Sequence, residues 1–361
     1  MKRIAIIFAV LSILLAPGCT KTAESEYARY TDSFFDTFDT LVIVTAYTKS
    51  EAEFKAYFEL IKGRFQELHR LYDIYNSYEG INNLKTINDR AGQETVEVEQ
   101  EIIDLILFAK EWHGRTHGRV NIALGPVLQI WHRYRTEGLD DPQNAALPPL
   151  ELLQKARERT DLEQVIVDPE KGTVYLAEPG MSLDVGAIAK GYAAELAARE
   201  AAAAGLSSGL ISAGGNVRVI GRPLDGVRER WAIGIQEPEA SIFGESDNLL
   251  DTIFINDGAV VSSGDYQRYY TVGGKRYHHL IDPETLMPAD HYRAVTVVAG
   301  DSAVADYLST ELFLLPYAES RALADSLDGV EAIWVMPDGE VKITRGLEAM
   351  LKSRGATNVN P

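Results

Sequence analysis

The stretch SLDVGAIAKGY, Ser182–Tyr192, sets the reading of this chain. Asp184 is followed by Gly186, two small apolar residues, Lys190 and Gly191, and an Ala-rich run, Ala193–Ala204, continues from it. That order describes a polar turn feeding a helix N-terminus, where free backbone N–H groups and the positive dipole end attract an anion. Gly186 and Gly191 allow close approach to the backbone. Lys190 suits a phosphate, and Asp184 suits a ribose or base polar group. The run fits equally well an ordinary helix start with glycine for packing and lysine in solvent, because short glycine-containing loops are weak signals.

Working outward, the C-terminal third carries Ser262–Ala289, SSGDYQRYYTVGGKRYHHLIDPETLMPA, and Val295–Phe313, VTVVAGDSAVADYLSTELF. Asp306 and Thr310 are four residues apart, on one face of a predicted helix. Two hard oxygen ligands with a backbone carbonyl from elsewhere suit Mg²⁺, which takes few protein ligands plus substrate phosphates. A solvated face, or Thr310 bonding back to its own helix, is the plainer reading. His278 and His279 are adjacent and face opposite sides of a strand, so at most one points into a site. Asp265 and Arg268 suit either an internal ion pair or a phosphate contact. His69, His113, His117, His132 and His291 fall in no pattern.

The predicted elements alternate between helix and strand. Apolar residues Phe54, Phe58, Ile61, Phe65, Leu68 and Leu71 recur along one side of Glu51–Tyr75, and Glu99–Trp112 is a second amphipathic helix. Leu41–Tyr47 reads as a strand. Val165–Val167 and Thr173–Leu176 flank a DPEKG turn, and Tyr269–Val272 and Arg276–His279 flank Gly273-Gly274, two hairpin signals. Short strands are expected at Leu210–Ser212, Val217–Ile220, Trp231–Ile235, Thr252–Ile255, Ala259–Ser262, Val295–Val298, Ile333–Met336 and Val341–Thr344. Glu137–Pro149 reads as a surface loop, and no solenoid repeat is present. The expected class is α+β with mostly antiparallel pairing.

Lys2 and Arg3 precede the apolar run Ile4–Leu15 and then Ala16-Pro17-Gly18-Cys19. About 20 apolar residues are needed to span a bilayer, so the run fits a secretory leader instead. Cys19 is the only cysteine, which excludes an internal disulfide, and its place suits bacterial lipidation after cleavage of residues 1–18. Plain cleavage leaving a free thiol is the alternative. Residues 19–30 read as a polar tether and 31–350 as a single domain. Loss of Lys2 and Arg3 takes the formal charge from −18 to −20. So acidic a body argues against nucleic acid and against holding anionic lipid by charge.

Several ordered motifs together resemble the FAD:protein FMN transferase family, the ApbE family. They are FDT at Phe38–Thr40, SYEGINNLKTIN at Ser77–Asn88, RVNIALGPVLQIW at Arg119–Trp131, DVGAIAKGYAA from Asp184, SAGGN at Ser212–Asn216, SGDYQRY from Ser263, HHLIDPETL from His278 and ADYLST from Ala305. The resemblance implies a T-fold-like architecture with the flavin in a cleft between two lobes. It implies FAD contacts at Phe38, Tyr78, Arg119, Val120, Asn121, Asp184, Lys190 and Ile281. It implies a Mg²⁺ site made by the Ala187 carbonyl, Asp306 and Thr310, and a catalytic role for His279. The implied reaction is Mg²⁺-dependent transfer of FMN from FAD to a Thr or Ser hydroxyl, with release of AMP. The implied acceptor is a membrane redox pump subunit or an extracytoplasmic reductase, met by an enzyme lipid-anchored at Cys19 on the extracytoplasmic side of the membrane. An FAD pyrophosphatase and a non-catalytic flavin-binding lipoprotein remain open. Asp39 and Leu286 stand where the family usually has Gly. A leucine does not easily take positive φ, so a locally different turn is expected at Leu286.

Overall fold

The computed structural model describes residues 26–238 and 249–359. Its centre is an eight-stranded sheet: β1 (Ala28–Thr37), β2 (Thr40–Thr48), β3 (Gly209–Ala213), β4 (Asn216–Ile220), β5 (Ala259–Gly264), β6 (Ala294–Ala299), β7 (Glu331–Val335) and β8 (Val341–Ile343). Spatial order follows chain order, and every neighbouring pair is antiparallel. The sheet is therefore a meander, and every other element before its last strand is an insertion into one of its connections. The α+β, mostly antiparallel class expected from the sequence is the observed one. Strand β1 takes in Ala28–Tyr30, the last three residues of the stretch expected as a tether.

Alternation along the strands explains why both sheet faces are covered. Val261 and Val297 join the main core, whereas Val260 and Val298 join a second cluster on the other face. All six residues of β6 are buried as a result. The first face receives three helices, α1 (Glu51–Tyr72), α2 (Ala189–Ala203) and α3 (Ser302–Leu314). The second face is covered by the hairpin Trp231–Gln236/Leu249–Ile255, whose first strand alternates buried and exposed.

Each helix has a legible cause. Ser50 caps α1, accepting the Glu53 N–H at 3.2 Å, with Glu51 and Glu53 in the first turn and His69 and Arg70 in the last. Its buried stripe is the one read from the sequence. In α2 the buried positions include Ala193, Ala194, Ala197, Ala198 and Ala201, small enough to bring its axis close to α3. Asp301 caps α3 by accepting the N–H groups of Ala303 and Val304. A third cluster joins the Gly125–Asp140 helix to the Tyr269–Val272/Lys275–His278 hairpin through Trp131, Tyr270, Ile281 and Leu286. That helix runs to Asp140, into the stretch expected as loop.

The turn at Leu286 corrects the sequence expectation. Leu286 does adopt φ 61°, with its N–H on the Asp282 carbonyl at 2.8 Å and its own carbonyl accepting the Trp131 Nε1–H at 2.9 Å. A left-handed leucine costs about 1–2 kcal/mol. A fully buried leucine side chain contributes about 1.5–3 kcal/mol, and Leu286 is 2% exposed against Trp131, so burial offsets the strain. Phe38 and Asp39 likewise take φ 51° and 49° in the β1–β2 turn.

Glu195 of α2 ties three elements together. It accepts from Arg199 Nε at 2.8 Å, from Arg218 Nε on β4 at 2.7 Å and from the Ser302 N–H at the start of α3 at 2.8 Å. Burial pushes its carboxyl up, but the Arg218 and Ser302 bonds outweigh this and hold it below the ordinary glutamate value of 4.5. A folded-state value below the unfolded one stabilises the protein above that range, and the contribution disappears as pH falls through the folded value. Urea unfolding of wild type and Glu195→Gln down a pH series is expected to show a shallower acid loss in the variant. Parallel curves would mean that Glu195 is not so coupled.

Candidate active site

Two of the sequence candidates, Lys190 at the start of α2 and Asp306 on α3, meet where the two helices come together. In an unbroken helix the Gly191 N–H would bond to the Ala187 carbonyl four residues back. It donates instead to Asp306 Oδ2 on α3, at 2.7 Å, while Tyr192 N–H returns to the Ile188 carbonyl. Gly191 lies in the first turn of α2, where N–H groups lack a ladder partner, and no backbone N–H of the described residues donates to the Ala187 carbonyl just before the helix. A Cβ on Gly191 would lie 2.4 Å from both the Asp306 Cβ and the Ser302 carbonyl oxygen, so only glycine permits this approach.

Asp306 and Thr310, 5% and 7% exposed, share one face of α3 as their spacing predicts. Thr310 Oγ1 lies 3.4 Å from Ser263 Oγ on β5, and Ser263 also meets Ser309 at 2.8 Å. Burial pushes the Asp306 carboxyl up, against the pull of the Lys190 charge and the Gly191 N–H. A buried carboxylate of this kind is stabilised by a cation. One carboxylate, one hydroxyl and one free carbonyl form a set of hard oxygen donors that fits Mg²⁺. Among the described residues, no group of three or more His, Cys, Asp or Glu gathers as a metal site.

Asp184 stands at the mouth of the same turn, half-buried, with Oδ1 accepting the Gly186 N–H at 2.9 Å. Burial pushes its carboxyl up, against that hydrogen bond and the nearby His132, Arg135 and Arg268. The strand expected over Arg276–His279 ends at His278, so His279 lies just past it and the two histidines divide at the strand end. His278 is buried, with Nε2–H on the Ala289 carbonyl at 2.7 Å and Nδ1 accepting the Leu280 N–H at 3.2 Å. His279 faces the site, and its Nδ1 is buried without a hydrogen-bond partner. Burial, then His278 and the positive charges of Arg268, Lys190 and Arg135, push its pKa down to about 3, so the imidazole is neutral near pH 7.

The remaining candidates sit around this centre in different ways. Phe38 is half-buried, edge-on to His69 at 5.4 Å, and its N–H donates to His69 Nδ1 at 3.3 Å. The Asp39 charge beside it reaches Tyr75 and His132. The N–H groups of Arg119 and Val120 donate to Glu311 of α3 at 3.2 and 2.7 Å, and Arg119 Nη1 pairs with Asp282 and Glu284. Asn121 accepts the Ala123 N–H and donates to the Thr160 carbonyl, which uses both ends of its amide. Ile281 lies in the third cluster with its backbone bridged to Pro288. Tyr78 gives its hydroxyl hydrogen to Asp73 at 2.7 Å and lines a surface hollow of about 560 Å³ with Ser77, Gly80 and Ile81. Cys19 lies outside the described residues.

Sequence reasoning missed His132 and Arg135, which lie on the Gly125–Asp140 helix; the fold brings His132 to act on Asp184 and Arg135 to act on both Asp184 and His279. Their i, i+3 spacing is too common to signal a site. The structure also decides the alternative left open at SGDYQRY. Asp265 pairs with Arg293 at 3.0 Å, and Arg268 turns toward Asp184 and His279.

An antiparallel meander with ionisable groups gathered at the start of a glycine-bearing helix defines an α+β protein with a polar site at that helix start. A profile of the ApbE family matches residues 38–334, and the chain belongs to that family. It is 34% identical over 276 residues to the FAD:protein FMN transferase of Treponema pallidum, with 73% of each chain covered. It is 31% identical over 301 residues to a protein of the same name from Klebsiella pneumoniae, covering 83% of this chain and 87% of that one. The ApbE protein of Thermotoga maritima superposes with a TM-score of 0.76 at 29% identity, over 88% of this chain and 98% of that one. The flavin transferase ApbE of Vibrio cholerae, 22% identical, shares the fold at a TM-score of 0.72, over 88% and 97% of the two chains.

Gly191→Ala is expected to force α2 and α3 apart and lower the unfolding free energy by about 1–3 kcal/mol. Denaturant titration reads this directly, and an unchanged midpoint would show that the helices do not meet so closely.

Proposed function

We propose that this protein is an FAD:protein FMN transferase that moves FMN from FAD to a Thr or Ser hydroxyl of an acceptor protein and releases AMP. The name shared by relatives at 34% and 31% identity supports the activity. The observation that carries the chemistry is the Gly191 N–H bond to Asp306, which joins the turn bearing the Ala187 carbonyl to the helix face bearing the buried Asp306 and Thr310. The Ala187 carbonyl, Asp306 and Thr310 would hold Mg²⁺. The metal, when bound, supplies charge neutralisation for the FAD pyrophosphate.

The protein's own groups do the rest. Lys190, at the start of α2, and the helix N-terminus favour the pyrophosphate. Asp184 orients a polar group of the nucleotide, and Phe38 sits against the flavin. Tyr78, Arg119, Val120, Asn121 and Ile281 line the remainder of the FAD cleft between the two lobes. The acceptor hydroxyl oxygen attacks the phosphorus on the FMN side, and the bond from that phosphorus to the bridging oxygen breaks. FMN stays joined through a new phosphoester, and AMP leaves with the bridging oxygen. His279 would take the hydroxyl proton as general base once the bound pyrophosphate offsets the cations that otherwise hold its pKa down. Water in place of the hydroxyl would give free FMN and AMP.

FAD incubated with the protein, an acceptor domain and Mg²⁺ is expected to yield AMP together with a mass gain of one FMN on the acceptor. EDTA or Asp306→Ala is expected to abolish both. AMP without acceptor gain would make the protein a pyrophosphatase, and bound FAD without AMP would make it a binding protein. Full turnover by Asp306→Ala would remove the metal assignment.

Lipidation at Cys19, with the catalytic body on the extracytoplasmic side, completes the reading. It is motivated by the leader-like run Ile4–Leu15 and the lone cysteine after it. Among the described residues no helix is long and apolar enough to cross a membrane. Cys19→Ser is expected to eliminate palmitate labelling and to move the protein from the membrane to the soluble fraction. Membrane retention by that variant would count against the anchor.

A further inference from the structure

We propose that Arg135 and Arg268 form a two-guanidinium clamp for a nucleotide phosphate beside His279. The clamp rests on the flavin-nucleotide reading above and adds to it two residues that come from different insertions of the meander. Arg135 projects from the Gly125–Asp140 helix, where its Nη2 donates to His132 Nδ1 at 2.8 Å. The His132 ring lies against Tyr75, centroids 5.6 Å apart, and Tyr75 is fixed by its N–H on Asp73 at 2.6 Å. Arg135 is therefore aimed by uncharged groups, and the one carboxylate that acts on it is that of Asp184. A guanidinium has five donors, and this bond uses one.

Arg268 approaches from the loop that follows β5. The acid of its own loop, Asp265, is taken by Arg293 at 3.0 Å and does not neutralise it. Arg268 is exposed and Arg135 half-buried, so one stands at the rim and the other within. Both act on the same four groups, Tyr75, His132, Asp184 and His279, and Arg268 acts on Arg135. Two like charges are brought together in a chain of formal charge −18, where carboxylates are abundant as alternative partners. That arrangement costs free energy unless an anion lies between them. Arginine forks match the geometry of phosphate oxygens, two donors to two acceptors. The buried, unpartnered Nδ1 of His279 supplies a third donor when it carries the ring proton. Nε2 then keeps the lone pair that the transfer reaction needs.

The phosphate belongs either to the FMN half or to the AMP half, and paired ligands distinguish them. Wild type, Arg135→Ala, Arg268→Ala and the corresponding lysine variants are titrated with FMN against riboflavin, by flavin fluorescence, and with AMP against adenosine, by calorimetry. For the half that is clamped, each alanine variant is expected to weaken the phosphorylated ligand at least 10-fold and the unphosphorylated one less than 2-fold. The lysine variants are expected to recover part of the loss. A selective loss of FMN places the clamp on the transferred phosphate, and a selective loss of AMP places it on the leaving group. Equal weakening within both pairs would make the arginines structural and overturn the clamp. No weakening at all, or a wild type that does not prefer the phosphorylated ligands, would overturn it too. If an alanine variant does not fold, its lysine partner is expected to show the same selectivity at a smaller fold-change. Normal phosphate selectivity in a protein that releases no AMP would sink the transferase reading and leave the clamp standing.

Discussion

The contact between the Gly191 N–H and Asp306 is the constraint on which the site depends. It couples the first turn of α2 to the face of α3 that carries Thr310, and it satisfies one of the donors that a helix start leaves without a ladder partner. Only a residue without Cβ fits, because the neighbouring carbonyl and carboxylate stem lie 2.4 Å from where that atom would be. Around this point the alanine stripe of α2 and Glu195, shared among Arg199, Arg218 and Ser302, fix the distance between helix and sheet. A helix start that looks like a simple packing joint is also the place where a buried carboxylate meets a backbone N–H.

Charge is distributed with the same economy. The chain is strongly acidic, yet the groups acting on His279 are all basic: His278, Arg268, Lys190 and Arg135. An acidic body with a local cationic centre repels polyanions in general while attracting one small anionic group at the site. The histidine pair shows how the backbone enforces division of labour. His278 satisfies both ring nitrogens on the backbone around Ala289 and Leu280, so it holds the segment in place, while its neighbour, just past the strand end, meets the cations.

Turns that break the usual residue preference keep their geometry where burial outweighs strain. Leu286 stays left-handed because Trp131 and its cluster cover it and its carbonyl is the Trp131 acceptor. Phe38, also left-handed, rests on Phe65 and His69 of α1. The sequence rule that a side chain opposes positive φ is a statement about local sterics, about 1–2 kcal/mol here, and tertiary packing of a large apolar side chain has the same magnitude.

The sequence by itself determined the class of the fold, because period-two strands, the Gly273-Gly274 and DPEKG turns and the apolar stripe of Glu51–Tyr72 are local signals set by local geometry. It also determined Asp306 with Thr310, whose spacing guarantees one helical face. It placed the Ala187 turn and Lys190 at a helix start. Only the tertiary structure decided which carbonyl was free, which histidine faced the site, and that Asp265 chose Arg293 over Arg268. It alone brought His132 and Arg135 to Asp184 across about fifty residues of chain. The physical reason is range: periodicity and turn chemistry act over a few residues, whereas hydrogen-bond partners and charge neighbours are settled by which insertions of the meander pack together.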